Sequence, residues 1–285
     1  MDAAEWRAFY QRERAELGDA GLARLVATAP HVELPPRGAL VFPHTRLRES
    51  GRYTAAVARA LVHARVDEVL ALGVLHQARR SDASLVARAR AGDAAAVRAL
   101  RRVHGPGAPG DTQLWAEEYS LDNFVALLHA AAHAAGARAP RVTQRFPFFT
   151  GTTPEDLPGI DELARIVEGG CALVATTDPV HHGAGYGTPR AKQQALGAPE
   201  TDAYARAAVE EGFRLLARRD YAAFAGHAAE HRSDFRDNGP VLAALMSPPL
   251  ESKVLELTLV DYAETLNAAA PTWVAATLSV FHAQN

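Results

Sequence analysis

Short apolar runs alternate with longer amphipathic segments, and this alternation limits the fold more than any other feature of the sequence. The runs expected to form strands occupy residues 39–42, 66–72, 142–149, 171–177, 254–260 and 273–281. Helical patterns fill the intervals between and before them, at residues 2–28, 51–65, 84–103, 119–135, 155–168, 189–218 and 220–231. Strands that alternate with helices predict a three-layer α/β sandwich, in which helices flank a central sheet that is largely parallel or mixed.

Size and charge narrow the class of protein further. The 285 residues contain no internal repeat and no low-complexity linker, which predicts one domain over residues 1–285. The formal charge of −3 gives no strong field to attract nucleic acid or an acidic membrane. One cysteine, Cys171, excludes an intrachain disulfide and a multi-cysteine zinc site. Without a signal-like or membrane-spanning apolar run, the sequence predicts a cytoplasmic protein that binds neither membranes nor nucleic acid.

Three of the predicted strands are each followed by a histidine. His44 follows the first strand, His76 follows the second, and His181 and His182 follow the fourth, with Asp178 close by. Ligands of α/β sheets bind at the carboxyl ends of the strands, so these side chains converge if the strands are neighbours. Imidazoles from separate elements suit a divalent transition metal. The sequence therefore predicts a metal or catalytic site at this edge, the alternative being histidines that only make hydrogen bonds within their own loops.

Four short motifs keep their order and spacing over most of the chain. They are Pro43-His44 with Ser50-Gly51, LGVLHQ at 72–77, EYSLD at 118–122 and TTDPVHHG at 176–183. In this order they resemble P-H-A-G-Y-x-x-S-G, L-G-P-S-H-H, E-H-S-I-E and S-S-D-F-x-H-x-G of the Memo family. That family shares its fold with the catalytic (B-like) subunit of class III extradiol ring-cleavage dioxygenases. The resemblance implies the same fold here, with residues 255–281 as the two late strands.

The chain departs from the family at one expected metal ligand. Memo proteins have a metal-binding Cys-Gly late in the sequence, whereas here Asn238 precedes the matching Gly239. Because a neutral amide replaces a thiolate poorly, we expect a nearby carboxylate instead. Asp237 is the first choice because it lies closest to the Gly-Pro pair, and Asp234 is the second. Both could also be solvated loop acids.

The resemblance implies an oxygenase-type centre. His44, His76 and Asp237 would hold Fe(II), with Zn or Cu as alternatives, as two histidines and one carboxylate do in non-haem iron oxygenases. The expected partners are O₂ and a catechol-like or other aromatic, natural-product-like small molecule. The divergent stretch 77–117 would shape its pocket. The chain would act alone or as a homodimer.

The resemblance also assigns roles around the metal. His181 stands where the dioxygenases keep their acid/base histidine, and Asp178 would orient its ring or support the ligands. Tyr119 replaces the histidine of E-H-S and would either hydrogen-bond near the metal or pack in the core. Two other functions stay open: a Memo-like metal-binding protein without ring cleavage, and a zinc-dependent hydrolase that uses bound water.

Overall fold

A computed structural model describes residues 2–76 and 82–283 of the chain, so Gln77 of the second motif lies outside the described residues. The helices in these ranges are α1 (Ala3–Thr28), α2 (Leu47–His63), α3 (Ala83–Arg90), α4 (Ala94–Leu100), α5 (Asp122–Ala134), α6 (Ile160–Glu168), α7 (Pro199–Ala217), α8 (Tyr221–His231) and α9 (Phe235–Leu245). The strands are β1 (Ala39–Phe42), β2 (Glu68–Leu72), β3 (Arg102–His104), β4 (Arg141–Phe148), β5 (Ala172–Thr176), β6 (Val180–Gly183), β7 (Leu250–Asp261) and β8 (Thr272–Ala283).

The strands of the described chain form one mixed sheet. Their order is β3-β4-β2-β5-β1-β8-β6, and β7 pairs with β8 outside this path. The central strands β4, β2, β5 and β1 run parallel. The flanking strands β3, β8, β6 and β7 add antiparallel pairs on either side. The predicted α/β class, with a mixed central sheet flanked by helices, is confirmed.

Helices cover both faces of the sheet because side chains alternate along the buried strands. In β1, Leu40 and Phe42 belong to one core together with α2 and α5, and the Phe42 ring stacks on Phe124 at 4.7 Å. Ala39 and Val41 face the opposite core, which is filled by α6, α7, α8 and α9. A strand that is apolar on both faces must lie between two helical layers, and this arrangement gives the three-layer sandwich.

The structure differs from the predicted elements in a few segments. The helix predicted over 84–103 is divided into α3, α4 and strand β3. Gly92 has a φ of 90°, which ends α3, and the Asp93 side chain accepts hydrogen bonds from Ala95 N and Ala96 N to begin α4. The sequence patterns also missed the short strand β6 and the helix α9. Among the described residues, no helix is both long and apolar enough to span a membrane.

Candidate metal centre

Three adjacent parallel strands bring together side chains that are distant in sequence. β5 lies between β1 and β2 in the sheet. His44, His76 and Asp178 each follow the carboxyl end of one of these strands, so all three reach the same edge. The convergence predicted from the sequence therefore exists for these residues and for His181, but not for His182, whose Nε2 accepts a hydrogen bond from Gln194 N instead.

Asp234, the residue before helix α9, supplies the carboxylate that completes the group. The side-chain amide of Asn238 donates hydrogen bonds to the carbonyl oxygens of Leu72 at 3.3 Å and Thr176 at 2.8 Å, the last residues of β2 and β5. The backbone N–H of Asp234 donates to the carbonyl oxygen of Asp178 at 3.3 Å. These bonds fix the start of α9 against the strand ends and place the Asp234 carboxylate beside the histidines.

The distances between ligand atoms fit a metal ion. The Nε2 atoms of His44 and His76 are 3.1 Å apart. Asp234 Oδ2 is 3.3 Å from the Nε2 of His44 and 3.5 Å from the Nε2 of His76. For metal–ligand bonds of about 2.1 Å, neighbouring ligand atoms lie about 3.0 Å apart in octahedral and about 3.4 Å apart in tetrahedral geometry. His44, His76 and Asp234 therefore match one face of either coordination shell.

The hydrogen-bond partners of both histidines leave their Nε2 lone pairs free. The Thr176 hydroxyl donates its only proton to the carbonyl oxygen of Phe42, so it must accept from His44 Nδ1–H at 3.1 Å. Glu118 Oε1 accepts from His76 Nδ1–H at 3.0 Å. Metal-binding histidines typically hold their second nitrogen this way, because it fixes the tautomer and the ring orientation. Two Nε2 lone pairs only 3.1 Å apart repel each other unless a cation or a proton lies between them.

His181 and Asp178 lie on the other side of Asp234. His181 Nδ1–H donates to the carbonyl oxygen of Arg232 at 2.8 Å, which leaves its Nε2 facing Asp234 Oδ2 at 3.4 Å. Asp178 is 3% exposed, and its Oδ2 lies 3.5 Å from the Nε2 of His44. The Arg232 carbonyl, and not Asp178, holds the Nδ1–H of His181, so the expected role that remains for Asp178 is to support the ligands.

Asp237, the first choice for the third ligand, points elsewhere. Its Oδ1 accepts a hydrogen bond from Thr150 N at 3.1 Å, and its Oδ2 lies 3.4 Å from the guanidinium of Arg236. It lines a separate cavity beside Phe149 and Pro240. The structure therefore corrects the expected set from His44, His76 and Asp237 to the same two histidines with Asp234.

Carboxylates and imidazoles crowd together around the centre and shift one another's pKa. Burial lowers the pKa of His76, but the facing carboxylates of Glu118 and Asp234 outweigh it and hold that pKa well above its usual range. Burial raises the pKa of Asp234, but His181 and hydrogen bonds from His44 and His76 bring it well below its usual range. The pKa of Asp178 is raised, chiefly by burial. Three carboxylates thus face three imidazoles, a charge balance that a divalent cation suits.

Glu118 is a candidate supporting residue of the centre that sequence reasoning did not assign. It is buried and accepts hydrogen bonds from His76 N, His76 Nδ1, Tyr119 N and Ser120 N. Its pKa is lowered, because these bonds and the charge of His76 outweigh the opposing effect of burial. The signal was present, since Glu118 opens the EYSLD motif. Tyr119, the next residue, stacks its ring on His76 at 4.7 Å.

We expect Glu118→Gln to weaken metal binding about 10- to 100-fold, the usual cost of losing a partner that fixes a ligating histidine. Glutamine keeps the side-chain size but removes the charge that orients His76. Competition with a chromophoric chelator under anaerobic conditions measures the affinity. Glu117→Gln, at the adjacent position outside the cluster, is the matched control. An unchanged affinity in Glu118→Gln would remove this role.

A cavity of about 250 Å³ opens above the centre. Besides the clustered residues, the side chains that line it are mostly aromatic: Trp6, Tyr10, Tyr119, Tyr186, Arg232, Tyr262 and Val274. Hydroxyl groups join across one wall, where Tyr262 lies 2.8 Å from Tyr10 and 2.7 Å from Thr45, measured between hydroxyl oxygens. The stretch 77–117 was expected to shape the substrate pocket, but none of its described residues 82–117 lines this cavity. Residues Trp6 and Tyr10 of α1 line it instead.

Comparison with known proteins does not identify a family or a function for this chain. The sequence matches no protein-family model and no curated protein. The resemblance to the Memo family therefore stays a prediction, and the function has to be argued from the residues of the centre.

Proposed function

We propose that this protein is a non-haem Fe(II)-dependent dioxygenase-type oxidoreductase that acts on a catechol-like or other aromatic small molecule. One observation carries the proposal: two histidine Nε2 atoms and one carboxylate oxygen lie within 3.5 Å of one another beside an aromatic cavity. Two histidines and one carboxylate on one face are the ligand set of non-haem Fe(II) oxygenases, because the opposite face remains open. The four motifs that resemble those of Memo proteins and class III extradiol dioxygenases support the same reading.

His44, His76 and Asp234 would hold the metal. Hydrogen bonds to Thr176 and Glu118 keep the two histidine rings in place. When bound there, Fe(II) supplies open coordination positions for substrate oxygens and O₂ and the redox chemistry of ring cleavage. His181 is the acid/base candidate. Its Nδ1–H is fixed on the Arg232 carbonyl, so its Nε2 can accept a proton from a substrate hydroxyl and return it later. Its 3.4 Å distance from Asp234 Oδ2 places it next to the ligand set.

The cavity walls suit a small aromatic ring. Tyr186 packs edge-on against His181 at 4.8 Å between ring centroids, and Trp6 and Tyr119 add further ring faces. Aromatic side chains bind an aromatic ligand by stacking and edge contacts and exclude water from its surface. A volume of about 250 Å³ favours a single ring with small substituents over a larger molecule.

Two other functions would use the same residues, and the identity of the bound metal distinguishes them from the proposed oxygenase. A zinc-dependent hydrolase would use the buried carboxylate of Asp178, which lies beside His44, to bind or deprotonate a water. A Memo-like protein would bind metal without turnover.

The cytoplasmic location and a homodimer also stay predictions from the sequence.

Metal content of anaerobically purified protein tests the proposal. We expect bound iron in the wild type and one iron fewer per chain in His44→Ala, because the set of His44, His76 and Asp234 then keeps only one histidine. Catechol-like compounds should then cause O₂ uptake by the wild type only. Zinc or copper in the wild type would favour the alternatives. No metal in either protein after reconstitution would refute the centre.

A further inference from the structure

The cluster contains two ligand groups that share one carboxylate. The ligand atoms of His44, His76 and Asp234 lie within 4.8 Å of one another, and so do those of Asp178, His181 and Asp234. We propose that the second group is a second divalent-cation site, so that the centre holds two metal ions bridged by Asp234. The second site rests on the metal-binding part of the function proposed above, and its effect on activity rests on the acid/base role proposed there for His181.

Asp178 is the strongest argument for the second cation. Its side chain is 3% exposed, and its Oδ1 has no hydrogen-bond partner among the described residues. The ion-pair contact of its Oδ2 is with His44 Nε2 at 3.5 Å. When His44 Nε2 binds the first metal, it has no proton to donate to Asp178. A buried carboxylate without a compensating partner is costly, and a bound cation provides that partner.

His181 completes the second site from the opposite direction. The Arg232 carbonyl accepts its Nδ1–H, so the Nε2 lone pair is directed at the cluster, as it is in His44 and His76. Its Nε2 is 3.4 Å from Asp234 Oδ2, a separation typical of two atoms that bind the same ion. The same oxygen lies 3.3 Å from His44 Nε2 and 3.5 Å from His76 Nε2, so Asp234 Oδ2 would bridge the two ions, which in two-metal sites lie roughly 3.5–4 Å apart. Each ion would then have three protein ligands.

The second site would regulate the first. A cation bound to His181 occupies the Nε2 that accepts the substrate proton, so the second ion blocks the acid/base group. Activity should therefore rise with the first equivalent of metal and fall as the second site fills. The protein would be inhibited by excess divalent metal at a defined site.

Stoichiometry of Co²⁺ binding to the metal-free full chain tests the proposal, with Co²⁺ alone as the probe. Equilibrium dialysis should give two ions per chain in the wild type. His76→Ala and His181→Ala should each retain one, because each variant damages one group, and Asp234→Ala should retain none. Asp178→Asn, a change of nearly constant shape, should also retain one. Electron paramagnetic resonance should show two interacting Co²⁺ ions only in the wild type.

A wild type that binds one ion, or a His181→Ala variant that still binds two, would overturn the second site. If the single ion is lost in His76→Ala and kept in His181→Ala, the first site and the proposed function survive this failure. If no protein binds Co²⁺, both proposals fail. Thermal unfolding of each metal-free variant shows whether a lost ion reflects a lost ligand or a lost fold.

Discussion

Asp234→Ala is expected to abolish metal binding at the proposed first site, while Asp237→Asn leaves it intact. Asp234 Oδ2 lies within 3.5 Å of the Nε2 atoms of His44, His76 and His181, so its removal leaves the histidines without their shared carboxylate. The loss of affinity should exceed the roughly 100-fold that removal of a supporting residue costs. Asp237 instead accepts a hydrogen bond from Thr150 N, and asparagine keeps that acceptor.

The two variants form a matched pair, because both change an aspartate at the start of α9. Iron content after anaerobic reconstitution, with chelator competition for the affinity, measures the difference. Asp237→Asn should bind iron as the wild type does and melt at a similar temperature. Iron retained in Asp234→Ala would refute Asp234 as the third ligand, and iron lost in Asp237→Asn would return that role to Asp237.

The location of the histidines at one edge of the sheet could be predicted from the sequence, because ligand sites of α/β sheets lie at the carboxyl ends of the strands. Apolar runs such as 39–42 and 171–177 identify buried strands, and parallel strands end at the same edge of a sheet. The sequence does not contain the strand order, and here the order β2-β5-β1 makes the three carrying strands neighbours. A different order would have separated His44 from His76 with the same local pattern.

The third ligand could not be chosen from sequence because it depends on where α9 begins. Gly239 and Pro240 weaken a helical pattern, since proline removes a backbone donor and glycine has low helix propensity. Yet α9 runs from Phe235 through both residues, and Asn238 anchors it to the strand ends. Its start places Asp234 at the histidines and Asp237 at Thr150. Proximity to the Gly-Pro pair therefore predicted the wrong aspartate as the third ligand.

The cavity wall shows a second limit of sequence reasoning. Tyr10 lies near the start of the chain and Tyr262 near its end, but their hydroxyl oxygens are 2.8 Å apart. No local pattern links two such residues, because the contact arises only when α1 packs beside the end of β7. Glu118 is a different case from Tyr10 and Tyr262. Its EYSLD motif was recognised in the sequence, and only its hydrogen bond to His76 was not predicted.

His181→Ala is expected to lower kcat about 100- to 10,000-fold, the usual contribution of a general acid/base, while one equivalent of iron stays bound. His44, His76 and Asp234 would hold that iron without His181, so metal content and turnover should separate. Added imidazole should restore part of the rate, because a small base can enter the space that the side chain leaves. A merely structural role for His181 would not respond to imidazole.

His182→Gln is the matched control for this prediction. Successive residues of a strand face opposite sides, and His182 Nε2 accepts a hydrogen bond from Gln194 N at 2.9 Å while its ring stacks on Trp273 at 4.5 Å. The variant should therefore turn over substrate near the wild-type rate if its thermal unfolding confirms a folded protein. Loss of iron in His181→Ala at one equivalent would make His181 a ligand of the first metal. Full turnover without His181 would mean that the substrate proton leaves by another group, and Tyr119 and Tyr186, which also line the cavity, would be the next residues to change.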